Sequence, residues 1–494
     1  VRFVIERILV LASSLGLAAS GWAQAPLTID PTFEYCVTPE LIEQYGQGFE
    51  VVDVSLRLDG TIITTGNRLQ KVVHPWAASG GGVLLIDNSG AYIESPFTSA
   101  ASGDITEMTN GQYFYWYKRI NNDGTHDFTF GQPGLPWYDL SDWHVFDDRT
   151  VLVGGAFQLD PEGSIEYGLI KVDEWGAPDP SFTARRIGPG ASRVVDTLEP
   201  LSNGQFLANG TFTTYDGEST GPVVRINADG SRDPSFYFPA WKAAIGVVLE
   251  QPDGKLILGG QFWMNGTTDT LKVVRIHPDG SLDPTFNNTV DYRTGTGPWS
   301  AMASSVYVLT PLGDGRIVVG GAFDRIDGQM RSCIACIDTL GNLLDCWANG
   351  GLVPEAYTPG GGPYAALLGF ECLSNGDCYI FGEYKGFIDA NGLHPRQCVM
   401  SRIYMPDVGV DEDGKLLESI QLWPNPGSNE LQISMQRTDV RSFQLLDVCG
   451  RCVREGSLRS TTTILDTSTL PNGVYILHVR DQNGRVANLQ WIKS

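Results

Sequence analysis

What this sequence has little of narrows it first. Only 18% of its residues are charged, and acids outnumber bases 57 to 34, for a formal net charge of −23. Lys and Arg form no blocks and no stripe with aromatics, so nucleic acid has no electrostatic footing and is not expected as a partner. No apolar run approaches the roughly 20 residues that a helix needs to cross a bilayer core. The longest, Ile8 to Ala19, follows Arg2 and Arg7 and precedes Ala23-Gln24-Ala25. That order is the one Sec machinery and signal peptidase read, so residues 1–25 are expected to be a removed signal peptide and the remainder soluble.

Catalytic signatures are also missing. Gly-x-Ser-x-Gly, His-Glu-x-x-His and phosphate-binding loops do not occur. The six histidines (His74, His126, His144, His277, His394 and His478) are scattered, and no two stand at metal-ligand spacing. Asp411-Glu412-Asp413-Gly414 opens like a calcium loop but lacks the third acid and the distal Glu. No cofactor is therefore expected, with calcium the one ion the acidic chain leaves open. The Asn-Ala-Asp-Gly turns superficially resemble sialidase Asp-boxes, but the Ser-x-Asp-x-Gly-x-x-Trp order is absent.

Nine cysteines leave at least one without an intramolecular disulfide partner. Export places them in an oxidising compartment. Cys372 and Cys378 flank a turn-like stretch that can set them opposite each other on paired strands. Cys449-x-x-Cys452 and Cys333-x-x-Cys336 lack both the strand-to-helix setting of a redox motif and a zinc-spaced partner.

What is abundant is repetition. Val224-Arg225-Ile226-Asn227-Ala228-Asp229-Gly230-Ser231-Arg232-Asp233-Pro234-Ser235-Phe236 returns as Val274 to Phe286, with looser copies ending at Phe97, Phe130, Phe182 and Trp347. A second phrase, Asp253-Gly254-Lys255-Leu256-Ile257-Leu258-Gly259-Gly260-Gln261-Phe262, alternates with it and has six relatives, strong or weak. Asp-Gly and Asn-Gly tolerate the positive φ of a tight turn, and short aliphatic runs flank them, so each phrase reads as a hairpin. One unit then has four strands, and helices should be nearly absent. The paired glycines admit a close neighbour. The recurring Asp accepts backbone amides, its Pro ends sheet pairing, and the terminal Phe plugs the gap between sheets.

The Gly-Gly phrase occurs seven times, and the last unit breaks off near Tyr404, while Asp30-Pro31-Thr32-Phe33 stands with no unit before it. That orphan is the strand the last unit needs, and closure would remove exposed edges. Residues 26–405 divided into seven units give about 54 each, matching the spacing. The reading is an all-β, seven-bladed β-propeller of four-stranded blades, with the N-terminal strand closing the last. These phrases resemble the delta-60 repeat family of secreted bacterial proteins, most strongly from Val151 to Phe323. The resemblance implies a propeller and brings no catalytic residues.

After Tyr404 the pattern changes. Residues 406–417 read as a linker, and 418–494 as about seven short strands in a small antiparallel β-sandwich. Pro424-Asn425-Pro426 makes a rigid turn, Asp447 with Gly450 and Arg451 a hairpin, and Pro471, Gly473 and Tyr475 a turn into an alternating strand that ends near Lys493. In order and spacing these resemble the type A C-terminal sorting domain of the type IX secretion system. The resemblance implies passage through the periplasm, recognition by the type IX translocon, and cleavage by a sortase-like peptidase. Cargo then stays on the outer-membrane surface or is released outside the cell.

For the body, two functions stay open. Connections between units leave one face of a propeller and carry aromatics: Trp137, Tyr138 and Trp143; Tyr237 and Trp241; Tyr292 and Trp299; and Tyr357 with Tyr364. Such a rim can stack on sugars or grip a protein, making the chain a monomeric binding or adhesion scaffold for a glycan or protein ligand. The alternative is an extracellular polysaccharide hydrolase using paired acids in the central channel.

Overall fold

The structure is a computed structural model that describes residues 28–404 and 420–493. The longer interruptions fall at 57–60, 73–80, 94–104, 132–136, 158–165, 189–194, 294–303, 346–349, 355–364, 373–376, 436–439, 448–451 and 482–485. The expected signal peptide, the linker, the Asp411 turn, Tyr357 and Tyr364 lie outside the described residues. Contacts divide the chain into two compact units, the first ending at Tyr404.

Short β-branched runs between Gly turns leave no room for a helical period, and only one helix of appreciable length, Pro39–Tyr45, is present among the described residues. The first unit is a β-propeller body. Among the described residues seven principal sheets follow one another, each an up-and-down antiparallel set. Their first strands are Asp53–Leu56, Thr106–Glu107, Trp137–Val145, Thr197–Pro200, Ala240–Glu250, Ser305–Pro311 and Ala366–Cys372. Among the described residues one ladder runs on from a principal sheet into the next unit: Arg185–Gly188 extends the third sheet and pairs with Thr214–Tyr215 of the fourth unit. At the other junctions side chains and loops make the contact.

The seventh sheet has the order expected from the orphan segment. Its outer strand is Thr28–Ile29, which pairs antiparallel with Met400–Tyr404. Elsewhere the fourth strand is shorter than the sequence suggests. It is two residues long in the first and sixth sheets. In the second to fifth it shrinks to single bridges, Ile120 to His126, Val172 to Pro178, Ile226 to Arg232 and Ile276 to Leu282. The common cause is the Asp that follows, Asp127, Asp179, Asp233 or Asp283, which turns the chain by accepting the amide two residues on; in the last three a proline after it also cannot donate to a ladder. Small hairpins not expected from the sequence, such as Thr214–Tyr215 with Glu218–Ser219, project between second and third strands. Their Asp-Gly pair adopts φ of 50° and 81°, the geometry of a two-residue turn.

The glycine pairs have two separate duties. A Cβ on Gly259 would lie 2.7 Å from Val247 and from Val306 of the next sheet, and one on Gly320 only 2.4 Å from Leu367 of the next. A Cβ on the second member, Gly260 or Gly321, would strike a carbonyl of its own sheet's first strand, where that strand bulges. The first glycine thus sets inter-sheet packing and the second accommodates the bulge.

The second unit is a sandwich. Ile420–Trp423, Glu430–Met435 and Thr462–Asp466 form one sheet, and Val440–Asp447, Cys452–Ser457, Gly473–Asp481 and Val486–Lys493 the other. Alternating residues of both sheets, among them Leu431, Ile433, Leu445, Leu477 and Trp491, share one core.

Candidate functional site

The recurring Asp is best understood from the junctions it builds. In the fifth sheet Asp283 is fully buried and takes Arg275 Nε at 2.9 Å and Lys255 Nζ at 3.1 Å. Its other oxygen accepts from the Thr285 amide (2.8 Å) and hydroxyl (2.6 Å). The Arg275 guanidinium lies 5.0 Å from the centre of the Phe286 ring and donates at 2.7 Å to the Thr339 carbonyl of the sixth sheet. Phe286 in turn sits against Gly341 of that same turn. Arg119 with Asp127 and Phe130, and Arg225 with Asp233 and Phe236, repeat the arrangement and reach the carbonyls of Glu174 and Pro278. Lys171 and Asp179 make a lysine version. Cys336 stands at the arginine's place in the sixth repeat and is disulfide-bonded.

At the seventh sheet the arginine is Arg402, and its partner is Asp30, 372 residues away (2.7 Å). Arg402 lies over Phe33 and donates at 2.9 Å to Asn88 O in a turn of the first sheet. The Glu34 amide binds Ser89 O, as Tyr237 binds Asp279 O and Asn287 binds Leu340 O at interior junctions. Burial alone would raise the carboxyls of Asp127, Asp233 and Asp283. Hydrogen bonds from the Thr or Ser two residues on, and from neighbouring cationic and amide side chains, outweigh it and hold each well below the usual carboxylate range. These acids are structural.

Two more acids occupy the inner strands. Asp53 Oδ1 accepts from Val54 N (2.8 Å), while Oδ2 accepts from Ile105 N of the next sheet (3.1 Å). Asp142 bonds the amides of Trp143 and Leu198 in the same way. Each carboxylate gives one oxygen to the amide of the next residue and the other to an amide across a junction. Among the described residues, no cluster of three or more His, Cys, Asp or Glu is placed to hold a metal.

The structure scatters the aromatic candidates. Trp137, Tyr138 and Trp143 belong to the inner strand Trp137–Val145 rather than to a connection. Trp143 packs between sheets, 5.7 Å from Phe114, because its amide is tied to Asp142 and its side chain faces the inter-sheet core. Tyr292 lies in the strand Tyr292–Arg293, and Trp299 lies outside the described residues. The side chains of Trp137, Tyr138 and Tyr292 are likewise outside what is described. Tyr237 and Trp241, by contrast, stand 62% and 61% exposed.

Trp241 meets a residue the sequence reading missed, Trp263. The fifth sheet's first two strands are unusually long, and a β-bulge interrupts their pairing. Ala240 pairs with Met264 and Lys242 with Trp263, so Trp241 has no partner. A bulge re-aims its side chain, and here both Trp241 and Lys242 are exposed, breaking the alternation. The Trp241 and Trp263 ring centroids are 6.3 Å apart and tilted by 53°. Lys242 Nζ lies 4.5 Å over the Trp263 ring. The Tyr237 hydroxyl accepts from Asn265 Nδ2 at 3.3 Å, extending the cluster along the tip. A pair of tilted indoles with a cation beside them can stack on a sugar ring and meet an acidic group.

In the sandwich, sheet register gathers the sorting motifs. Asp447 pairs with Tyr475, Tyr475 with Trp491, and Gly473 with Lys493. Trp491 Nε1 donates to Pro424 O at 2.8 Å, and the buried Lys493 Nζ to Thr467 O at 2.6 Å. Asn425, Pro426, Gly450, Arg451 and Pro471 lie outside the described residues. Cys372 and Cys378 face each other across their hairpin and are disulfide-bonded, as their spacing implied.

Comparison with known proteins agrees with both units. The profile of the domain of unknown function (DUF5122) β-propeller matches residues 201–236, 251–286 and 312–343. That of the secretion system C-terminal sorting domain matches 421–493. No curated protein matches significantly. Among solved structures, PorZ, a surface component of the type IX secretion system of Porphyromonas gingivalis, aligns over 90% of this chain and 66% of its own (12% identity, TM-score 0.31). Extracellular domains of a hybrid two-component system and of a one-component system from B. thetaiotaomicron align over 90% and 94% of this chain and 55% and 59% of theirs. Their identities are 12% and 13%, with TM-scores of 0.37 and 0.39. The chain thus spans less than two thirds of the length of each of these structures. No helix among the described residues is long and apolar enough to cross a membrane. The chain carries DUF5122 β-propeller repeats and a type IX C-terminal sorting domain that marks it for export to the cell surface or the extracellular space.

Proposed function

We propose that this chain is a non-enzymatic binding scaffold. The type IX system exports it, and its seven sheets form a ring that presents a glycan or protein ligand site at the tip of the fifth sheet. The observation that carries the reading is the exposure of Tyr237 and Trp241 beside Trp263, on a sheet lengthened and bulged at that point. Exposed large aromatics on a rigid element are costly to leave in water and favour an occupant. The engagement of Asp53 and Asp142 by backbone amides supports binding over hydrolysis, because a glycosidase needs carboxyl oxygens aimed at substrate. Export rests on the sorting domain, with the translocon and a sortase-like peptidase as the partners it requires.

A polysaccharide and glycan panel incubated with the purified chain tests this reading. Retention without release of reducing ends is expected, and Trp241→Ala should abolish it. Cleavage of any polymer on the panel, surviving Trp241→Ala, overturns the proposal in favour of a hydrolase.

A further inference from the structure

We infer that the tip of the fifth sheet recognises one acidic sugar, a pyranose bearing a carboxylate, within an otherwise neutral glycan. The inference rests on the scaffold reading and narrows its ligand class.

The first ground is Lys242. The clamp cations Arg119, Lys171, Arg225, Arg275 and Arg402 each have a carboxylate partner. Lys242 is exposed and, among the described residues, has no ion pair; its ammonium is held over Trp263 alone. In a chain with 23 more acids than bases, an exposed lysine without an acid beside it leaves a positive charge at this tip. Stacking on an indole positions the ammonium without neutralising it, so its donors remain available to an anion.

The second ground is the bulge. Regular pairing would place Trp241 and Lys242 on opposite faces of the strand. The unpaired position turns both outward beside Trp263, so that aromatic surface and positive charge serve one ligand. Indole faces take the C–H surface of a pyranose, and an ammonium alongside takes a ring carboxylate. The Tyr237 hydroxyl, held by Asn265, adds a polar contact at the same tip.

The third ground sets the number of charges. One cation serves one carboxylate. The net charge of −23 repels a polyanion at long range, whereas a single acid on a neutral chain meets little of that repulsion. Uronic acids and sialic acids are two sources of a carboxylated pyranose, and the shared group is what Lys242 reads.

The test uses the full chain with four probes: an aldotriouronic acid (xylobiose carrying one glucuronic acid), 3′-sialyllactose, and the neutral parents xylobiose and lactose. Binding is read from tryptophan fluorescence and from saturation-transfer NMR. At least one acidic probe should bind about tenfold more tightly than its parent. Lys242→Met, which keeps the aliphatic stem over Trp263, should erase that difference without altering the parent's affinity. Trp241→Ala should weaken acidic and neutral probes alike by about thirtyfold. Acidic and neutral probes that bind equally, with Lys242→Met silent and Trp241→Ala harmful, overturn the acidic-sugar inference and leave the scaffold reading standing. If Trp241→Ala is silent on every probe, or no probe binds, the inference falls; a glycan panel on which nothing is retained removes the glycan form of the scaffold reading with it. An unchanged melting temperature in each variant certifies the fold.

Discussion

The two units hold themselves together in different ways. The propeller body repeats a polar device at its junctions: a cation, a buried Asp, a Thr or Ser two residues later, and a Phe under the cation. The sandwich instead gathers its motifs around a single apolar core in which Trp491 and Tyr475 lie 5.7 Å apart. A repeat array can distribute stability over nearest-neighbour joints, while a small two-sheet domain depends on a few large side chains. Damage should therefore stay graded in the body and be all-or-none in the tail.

The largest expected effect is in the tail. Trp491→Ala removes a fully buried indole and its bond to Pro424, at a cost of about 3–5 kcal/mol, comparable to the whole stability of a domain this size. Calorimetry should show the sandwich transition gone and the propeller transition in place; loss of both would dissolve the contrast.

Next comes Asp283→Ala, which strands the buried Arg275 and should destabilise the body by about 3 kcal/mol in denaturant titration. Acid should act on several joints together. The carboxyls of Asp127, Asp233 and Asp283 are held below their unfolded values, so their stabilisation is complete above about pH 4 and is lost as pH falls below that. A loss of about 1 kcal/mol per joint by pH 3 is expected for the body. A sandwich that weakens first on acidification would reverse the comparison.

Gly320→Ala should cost about 1–3 kcal/mol, because the new methyl meets Leu367 and Val308 with no room to shift. The smallest effect belongs to Trp241→Ala, within about 0.5 kcal/mol of the parent, since the ring is exposed. A larger loss would mean that the indole serves packing rather than a ligand.

How much of this could be read in advance follows from the reach of each signal. The Gly-Gly and Asp-Pro-Ser-Phe phrases carry their physics locally, so the hairpins, the glycine contacts and the Phe plug were legible. The missing outer strand was also legible, because Asp30-Pro31-Thr32-Phe33 is a spare copy of a repeated phrase. The thin fourth strands were not, since the same Asp that marks a unit also turns the chain and cuts its ladder short. Trp143 was misplaced because an inner strand begins earlier than the aromatic run suggests. Trp263 went unnoticed because it meets Trp241 only through a bulge, and register shifts leave no trace in a short aliphatic run. The second half of each sorting motif was visible as turn chemistry, but its convergence on Trp491 depends on cross-strand register.

The pairing of residues 28 and 29 with 403 and 404 also governs the order in which the body can assemble. Bringing Asp30 to Arg402 closes a span of 372 residues, an entropic toll of about 5 kcal/mol that no local hairpin has to meet. The interior sheets can form as soon as their own residues are present, whereas the final joint must wait for nearly all of the body to leave the membrane. A partly emerged chain is thus an open arc with a bare margin at either end, and its slowest folding step is the meeting of its two most distant parts.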